Sequence, residues 1–134
     1  MRVTPQDQAA AREQVLARTL IAARNEDQRI LIRHALESDG RFEVVSEAED
    51  GAAAVALALV DPPDVMVLDN ELAHFTGLEV ARKLAEHEPD TVVLLLTGDE
   101  HVESEARATV QGVRGKSGGF SWLPDALATL IDAS

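Results

Sequence analysis

Pro63-Asp64-Val65-Met66-Val67-Leu68-Asp69-Asn70-Glu71 constrains the fold more than any other stretch of the chain. A short apolar run ends in an aspartate and gives way at once to polar residues. Such a run, with apolar side chains toward both faces, suits a strand of a parallel sheet covered by helices on both sides. In an open α/β sheet the carboxyl ends of the strands line the crevice where ligands bind. Asp69 is therefore the first candidate for a functional carboxylate, against the plainer reading of a turn or helix-capping aspartate.

Strand and helix patterns alternate on both sides of this run. Thr19 to Ala22 predicts the first strand. A helix follows in which Ile30, Leu31, His34, Ala35 and Leu36 recur at helical spacing, with Asn25 or Asp27 as its cap. Asp39-Gly40 stops that helix, and Phe42 to Ser46 predicts the second strand. The alanine-rich stretch from Gly51 to Leu59, with Val55 and Leu59 one turn apart, predicts a second helix ended by Asp61-Pro62-Pro63. Val65 to Leu68 is the third strand, and a third helix over Gly77 to Ala85 sets Leu78, Ala81 and Leu84 on one face. Val92 to Leu96, apolar throughout, predicts the fourth strand.

Beyond it the pattern predicts helices over Glu103 to Val110 and over Leu123 to Ile131, the latter with Pro124 at its first position and Asp125 near its positive end. Glycine-rich Gly112 to Phe120 between them leaves room for a short or distorted fifth strand. These units predict an α/β fold, a doubly wound five-stranded parallel sheet in the order 2-1-3-4-5, with Ala23, Asp69 and Thr97 together at one edge. Residues 1–17 read as an N-terminal extension, either an extra helix over Pro5 to Ala17 or a flexible lead, and residues 18–134 as one domain.

Composition narrows the chemistry. With 134 residues the chain has the size of a single domain with a real core. It contains no cysteine, which removes disulfides, thiolate nucleophiles and cysteine-based zinc sites. A formal charge of −12 opposes direct binding to nucleic acid, whose affinity rests on neutralising phosphates. No stretch approaches the roughly 20 apolar residues of a membrane span, and the N-terminus lacks the apolar core of a signal peptide; the expectation is a cytoplasmic protein. His34, His74, His87 and His101 show no metal-ligand spacing. Gly115-Lys116-Ser117-Gly118-Gly119 lacks the spacing of a phosphate-binding loop.

Taken together, these motifs resemble the receiver domain of two-component response regulators, a flavodoxin-like fold, over Thr19 to Asp132. In that family the aspartate ending the third strand accepts a phosphoryl group from a histidine kinase, and a glycine follows after a loop; Asp69 and Gly77 stand in those places. The fourth strand of the family ends in Thr or Ser followed by a small residue, as Thr97-Gly98 does. Phe42 to Gly51 resembles the subgroup whose members carry a helix-turn-helix output domain. The resemblance implies signal transduction without an enzymatic activity of the chain's own. It also implies a sensor histidine kinase or other signalling protein as partner, and a homodimer through the fourth helix, fifth strand and fifth helix, with Trp122 at the border.

Departures from the family bear on mechanism. The acidic pair that holds Mg²⁺ in receivers falls at Ala23 and Arg24, so both carboxylates are missing and the resemblance implies weak or no Mg²⁺ binding. Arg24 is either a surface arginine or a guanidinium paired with Asp69 in the metal's place. Glu26 or Asp27 could lean into the crevice instead. Leu72-Ala73 replaces the usual Met-Pro. Lys116 is the candidate for the lysine that contacts the phosphoryl oxygens, yet it follows Gly115 directly, so a displaced, solvated lysine is the alternative. The expectation is an atypical receiver, with a conventional regulator phosphorylated on Asp69 as the second reading. A small aspartate-nucleophile phosphatase, suggested by Asp69 and Glu71 at a strand end, is the third.

Overall fold

The computed structural model describes residues 15–116 and 118–133. The possible N-terminal helix over Pro5 to Ala17 lies outside them except for residues 15–17, which are not helical: Ala17 opens the first strand. Five strands, β1 (Ala17–Ala22), β2 (Phe42–Ala48), β3 (Val65–Asp69), β4 (Val92–Leu96) and β5 (Gly112–Arg114), alternate with α1 (Glu26–Asp39), α2 (Gly51–Val60), α3 (Gly77–His87), α4 (Glu100–Ala106) and α5 (Leu123–Ala133). All strand pairs are parallel, in the expected order β2-β1-β3-β4-β5.

The two faces of the sheet build separate apolar layers. Leu20, Met66, Leu68, Val93 and Leu95 pack against Ala54, Ala58, Leu78, Ala81 and Leu84 from α2 and α3. Ile21, Val67, Leu94 and Leu96 pack on the other side against Ile32, Leu36, Leu123 and Leu127 from α1 and α5. Every residue of β3 and β4 is buried, which is why those two segments read as unbroken apolar runs.

Helix caps follow local chemistry. Asn25, the first of the two candidate caps, accepts the Gln28 N–H at 3.1 Å. Thr76 and Glu79 form a capping box that starts α3 one residue after the threonine. Three helices depart from expectation. On α1 the buried residues are Ile32 and Leu36, while Ile30 and Leu31 are 44% and 57% exposed. On α2 the inward face is Gly51, Ala54 and Ala58, and Leu59 of the expected Val55-Leu59 stripe is exposed, because small side chains let the helix lie close to the sheet. Helix α4 starts at Glu100 rather than Glu103, since Asp99 caps it by accepting the His101 and Val102 N–H groups; it ends at Ala106, short of Val110. No helix among the described residues is long and apolar enough to cross a membrane.

Candidate functional site

Pairing fixes what meets at the carboxyl edge of the sheet. The last paired rows join Ala22 to Leu68 and Asp69 to Leu96, so Ala23, Asp69 and Thr97 converge there. Ala23 is fully buried, and Asp69 and Thr97 are 4% and 5% exposed. Alternation along β3 turns Asp69 to the face of Val67, beneath α1 and α5.

Asp69 is held by both main chain and side chain. Its Oδ1 accepts the Glu71 N–H at 2.9 Å. The Lys116 ammonium donates to Oδ1 at 3.2 Å and Oδ2 at 3.3 Å, and also lies 3.5 Å from Glu71 Oε2. Lys116 thus reaches the aspartate although Gly115 precedes it directly, and the alternative of a displaced, solvated lysine does not describe its position. Thr97 is tied by its N–H to the Arg114 carbonyl at 2.9 Å, and its hydroxyl oxygen accepts the Asp99 N–H at 3.1 Å.

Arg24 is exposed, and among the described residues the cation within ion-pair distance of Asp69 is Lys116. The reading of Arg24 as a guanidinium on Asp69 is corrected on that ground: β1 ends at Ala22, and Arg24 stands past its end on the way into α1. Glu26 and Asp27 are likewise exposed in the first turn of α1, where acids favour the helix dipole.

Three contacts escaped sequence reasoning. Arg29 donates to the carbonyls of Ala23 at 2.6 Å and Arg24 at 3.3 Å, and its guanidinium faces Glu47, which also pairs with Arg33. The end of β1 is therefore fastened by an arginine one turn into the next helix. Asn70 accepts the Leu78 N–H through its side chain at 3.0 Å and the Gly77 N–H through its carbonyl at 3.1 Å, joining the aspartate's neighbour to the start of α3. At Gly77 a Cβ would lie 2.5 Å from the Asp69 carbonyl oxygen and 2.7 Å from Leu95, so glycine alone fits there. The eight-residue spacing from Asp69 to Gly77 marks that glycine in the sequence, so the three contacts it leaves unmarked are those of Arg29, Asn70 and Glu71. The Arg29 and Glu71 pairings span elements and leave no pattern in the sequence.

A buried strand-end aspartate under a lysine, on a 2-1-3-4-5 parallel sheet, defines a class of signalling domain. The chain belongs to it: residues 19–116 match the family model of the response regulator receiver domain. Among curated relatives, a putative transcriptional regulator of Pseudomonas aeruginosa is 33% identical over 100 residues, which are 75% of this chain and 48% of that protein. The probable transcriptional regulatory protein NarL of Mycobacterium tuberculosis is 37% identical over 81 residues, 60% of this chain and 38% of the relative. The chain thus spans less than half the length of these relatives. Among solved structures, the signal receiver domain of the putative response regulator NarL from Mycobacterium tuberculosis superposes with a TM-score of 0.83 at 26% identity, covering 89% of this chain and 98% of that one. The response regulator TrrA of Thermotoga maritima, solved in complex with Mg²⁺ and BeF, gives 0.78 at 27% identity, covering 86% and 99%.

Proposed function

We propose that this chain is an atypical receiver domain that regulates an output by protein–protein contact, with Asp69 at the phosphoacceptor position and weak or no Mg²⁺-dependent phosphorylation. The observation that carries the reading is the make-up of the crevice: a buried Asp69 under Lys116, with Thr97 at the next strand end, and alanine and arginine at the positions where receivers carry an acidic pair. Mg²⁺ takes octahedral oxygen ligands and dehydrates reluctantly. Here Ala23 offers no carboxylate and Arg24 brings positive charge. Among the described residues no three His, Cys, Asp or Glu side chains come together as a metal-holding group. The residues present do not fit the ion.

What these residues do follows from their positions. Asp69 presents a carboxylate oxygen as nucleophile or as an ion-pair acceptor; Lys116 neutralises it and would neutralise phosphoryl oxygens placed there; Thr97 offers a hydroxyl. Transcription is the output suggested by the names of the curated relatives. The partner in this reading is a sensor histidine kinase or other signalling protein, with a second copy of the chain as a further partner. The chain itself performs no enzymatic turnover and binds no nucleic acid directly, and its setting is the cytoplasm.

Conventional phosphorylation of Asp69 is the second reading, favoured by the arrival of Lys116 on the aspartate. Intact mass after incubation with a small phosphodonor, with and without Mg²⁺, in wild type and Asp69→Asn separates the two. Slow or absent labelling that Mg²⁺ leaves unchanged supports the atypical receiver. Rapid labelling that needs Mg²⁺ and vanishes in Asp69→Asn supports the conventional regulator.

A further inference from the structure

Between Arg114, the last residue of β5, and Phe120 the chain runs Gly115-Lys116-Ser117-Gly118-Gly119, without an apolar side chain that the core could hold. Three of those five residues are glycine, and Gly118 sits at φ +81°, so the backbone itself restricts the segment little. Lys116 nonetheless reaches both oxygens of Asp69. Ordering such a segment costs backbone entropy at each residue, and the cost is met only where its ends are fixed.

One side chain meets both ends. The Trp122 ring lies against the Arg114 guanidinium, whose carbon is 4.2 Å from the ring centroid. The indole N–H donates to the Gly119 carbonyl at 2.9 Å. Arg114 is in turn tied to the crevice, since its carbonyl accepts the Thr97 N–H at 2.9 Å. Trp122 itself is anchored: it packs on the core layer that holds buried Phe120, with the two ring centroids 6.2 Å apart, and its carbonyl accepts the Ala126 N–H at 3.2 Å as α5 begins.

We infer that Trp122 is a positioning residue for Lys116: by holding Arg114 against its ring and Gly119 on its N–H, it fixes both ends of the glycine-rich segment and so keeps the ammonium on Asp69. The inference rests on the reading of Asp69 and Lys116 as the functional pair of the crevice and deepens it by a residue outside that pair. The role needs two properties of the side chain, an aromatic face for the guanidinium and a donor for the carbonyl. Phenylalanine supplies the first alone, and leucine neither.

The chain carries two lysines, Lys83 on α3 and Lys116, whose side chain is 27% exposed. Amine acylation, read by peptide mass spectrometry as the ratio of Lys116 to Lys83 modification, therefore reports how firmly the Lys116 ammonium is held. Trp122→Phe should raise the ratio about threefold or more, the factor that goes with losing a hydrogen bond of ordinary strength, and Trp122→Leu should raise it further. Arg114→Gln should raise it as well, whereas Arg114→Lys, which returns a cation to the ring, should stay close to wild type. Val44→Ala truncates the core in β2, at the opposite edge of the sheet from β5, and should leave the ratio where it was.

A ratio unchanged in Trp122→Phe and Trp122→Leu, or raised equally by Val44→Ala, overturns the positioning role. Far-ultraviolet circular dichroism checks the fold, and should the Trp122 variants not fold, the exposed Arg114 decides: equal ratios in Arg114→Gln and Arg114→Lys overturn the inference. Phosphodonor labelling of Asp69 scores the reading of the crevice, whereas the acylation ratios score Trp122 by themselves.

Discussion

Returning carboxylates to the end of β1 should change what the crevice binds. In Ala23→Asp/Arg24→Asp a carboxylate enters at a fully buried position one residue beyond the paired row Ala22–Leu68, and so beside Asp69 on the adjacent strand. Adjacent strands lie about 4.8 Å apart. Two carboxylates about 5 Å apart repel by roughly 3 kcal/mol at an effective dielectric constant of 20. The Lys116 ammonium already on Asp69 offsets part of this, which leaves a cost of about 2 kcal/mol without metal at low ionic strength.

Mg²⁺ that binds the folded double variant restores stability by mass action, about 2.7 kcal/mol at a hundredfold excess over Kd. Millimolar Mg²⁺ should therefore return the variant to near wild-type stability and leave wild type where it was. Urea unfolding followed by circular dichroism, on both proteins with and without Mg²⁺, measures all four values. A variant as stable as wild type without metal, or one indifferent to Mg²⁺, would mean that position 23 does not face Asp69 and would refute the reasoning.

Other substitutions test the frame around the site. Gly51→Ala drives a Cβ into the carbonyl oxygen of Phe75 in the loop between β3 and α3, and should lower stability by about 1–3 kcal/mol in urea unfolding; an unchanged midpoint would contradict the close approach. His74 holds φ 69° in that same loop, so His74→Gly should stabilise by about 0.5–1 kcal/mol once the added freedom of the unfolded chain is allowed for, and destabilisation would argue against that conformation. The hydrogen-bonded Arg41 guanidinium holds the Asp39 carboxyl below its ordinary range. A depressed folded value gives stability that is present above the unfolded value, about 3.9, and is lost as pH falls through the folded one. Wild type should thus exceed Asp39→Asn by a small margin from neutral pH down to mildly acidic pH, and the margin should vanish in strong acid; a margin that grows on acidification would reverse the sign.

The central elements were legible because burial on both faces leaves an unmistakable sequence. Val65 to Leu68 and Val92 to Leu96 admit no polar residue, and the polar residues that end them, Asp69 and Thr97, fall at the sheet edge for that reason. Helix faces were less legible where apolar residues crowd together. Ile30, Leu31 and Ile32 are consecutive, so periodicity alone did not show that Ile32 turns inward. In α2 nearly every residue is apolar, and closeness of approach, which favours Ala54 and Ala58, outweighed side-chain size. The start of α4 was missed because its signal is the Asp99 cap rather than an apolar stripe. At the site, spacing from Gly115 cast doubt on Lys116, yet a long flexible side chain on a glycine-rich segment reaches Asp69 without the usual intervening residues. Arg29 and Glu71 acquired their contacts only through tertiary structure, Arg29 by lying one turn into α1 above the end of β1 and Glu71 by sharing Lys116 with Asp69.

Calorimetric titration of Mg²⁺ into the wild-type chain tests most directly whether the crevice is closed to metal. The expected result is no saturable heat at millimolar Mg²⁺ and no difference between wild type and Asp69→Asn. A saturable submillimolar binding isotherm that disappears in Asp69→Asn would show a working metal site at Asp69 and would contradict the account.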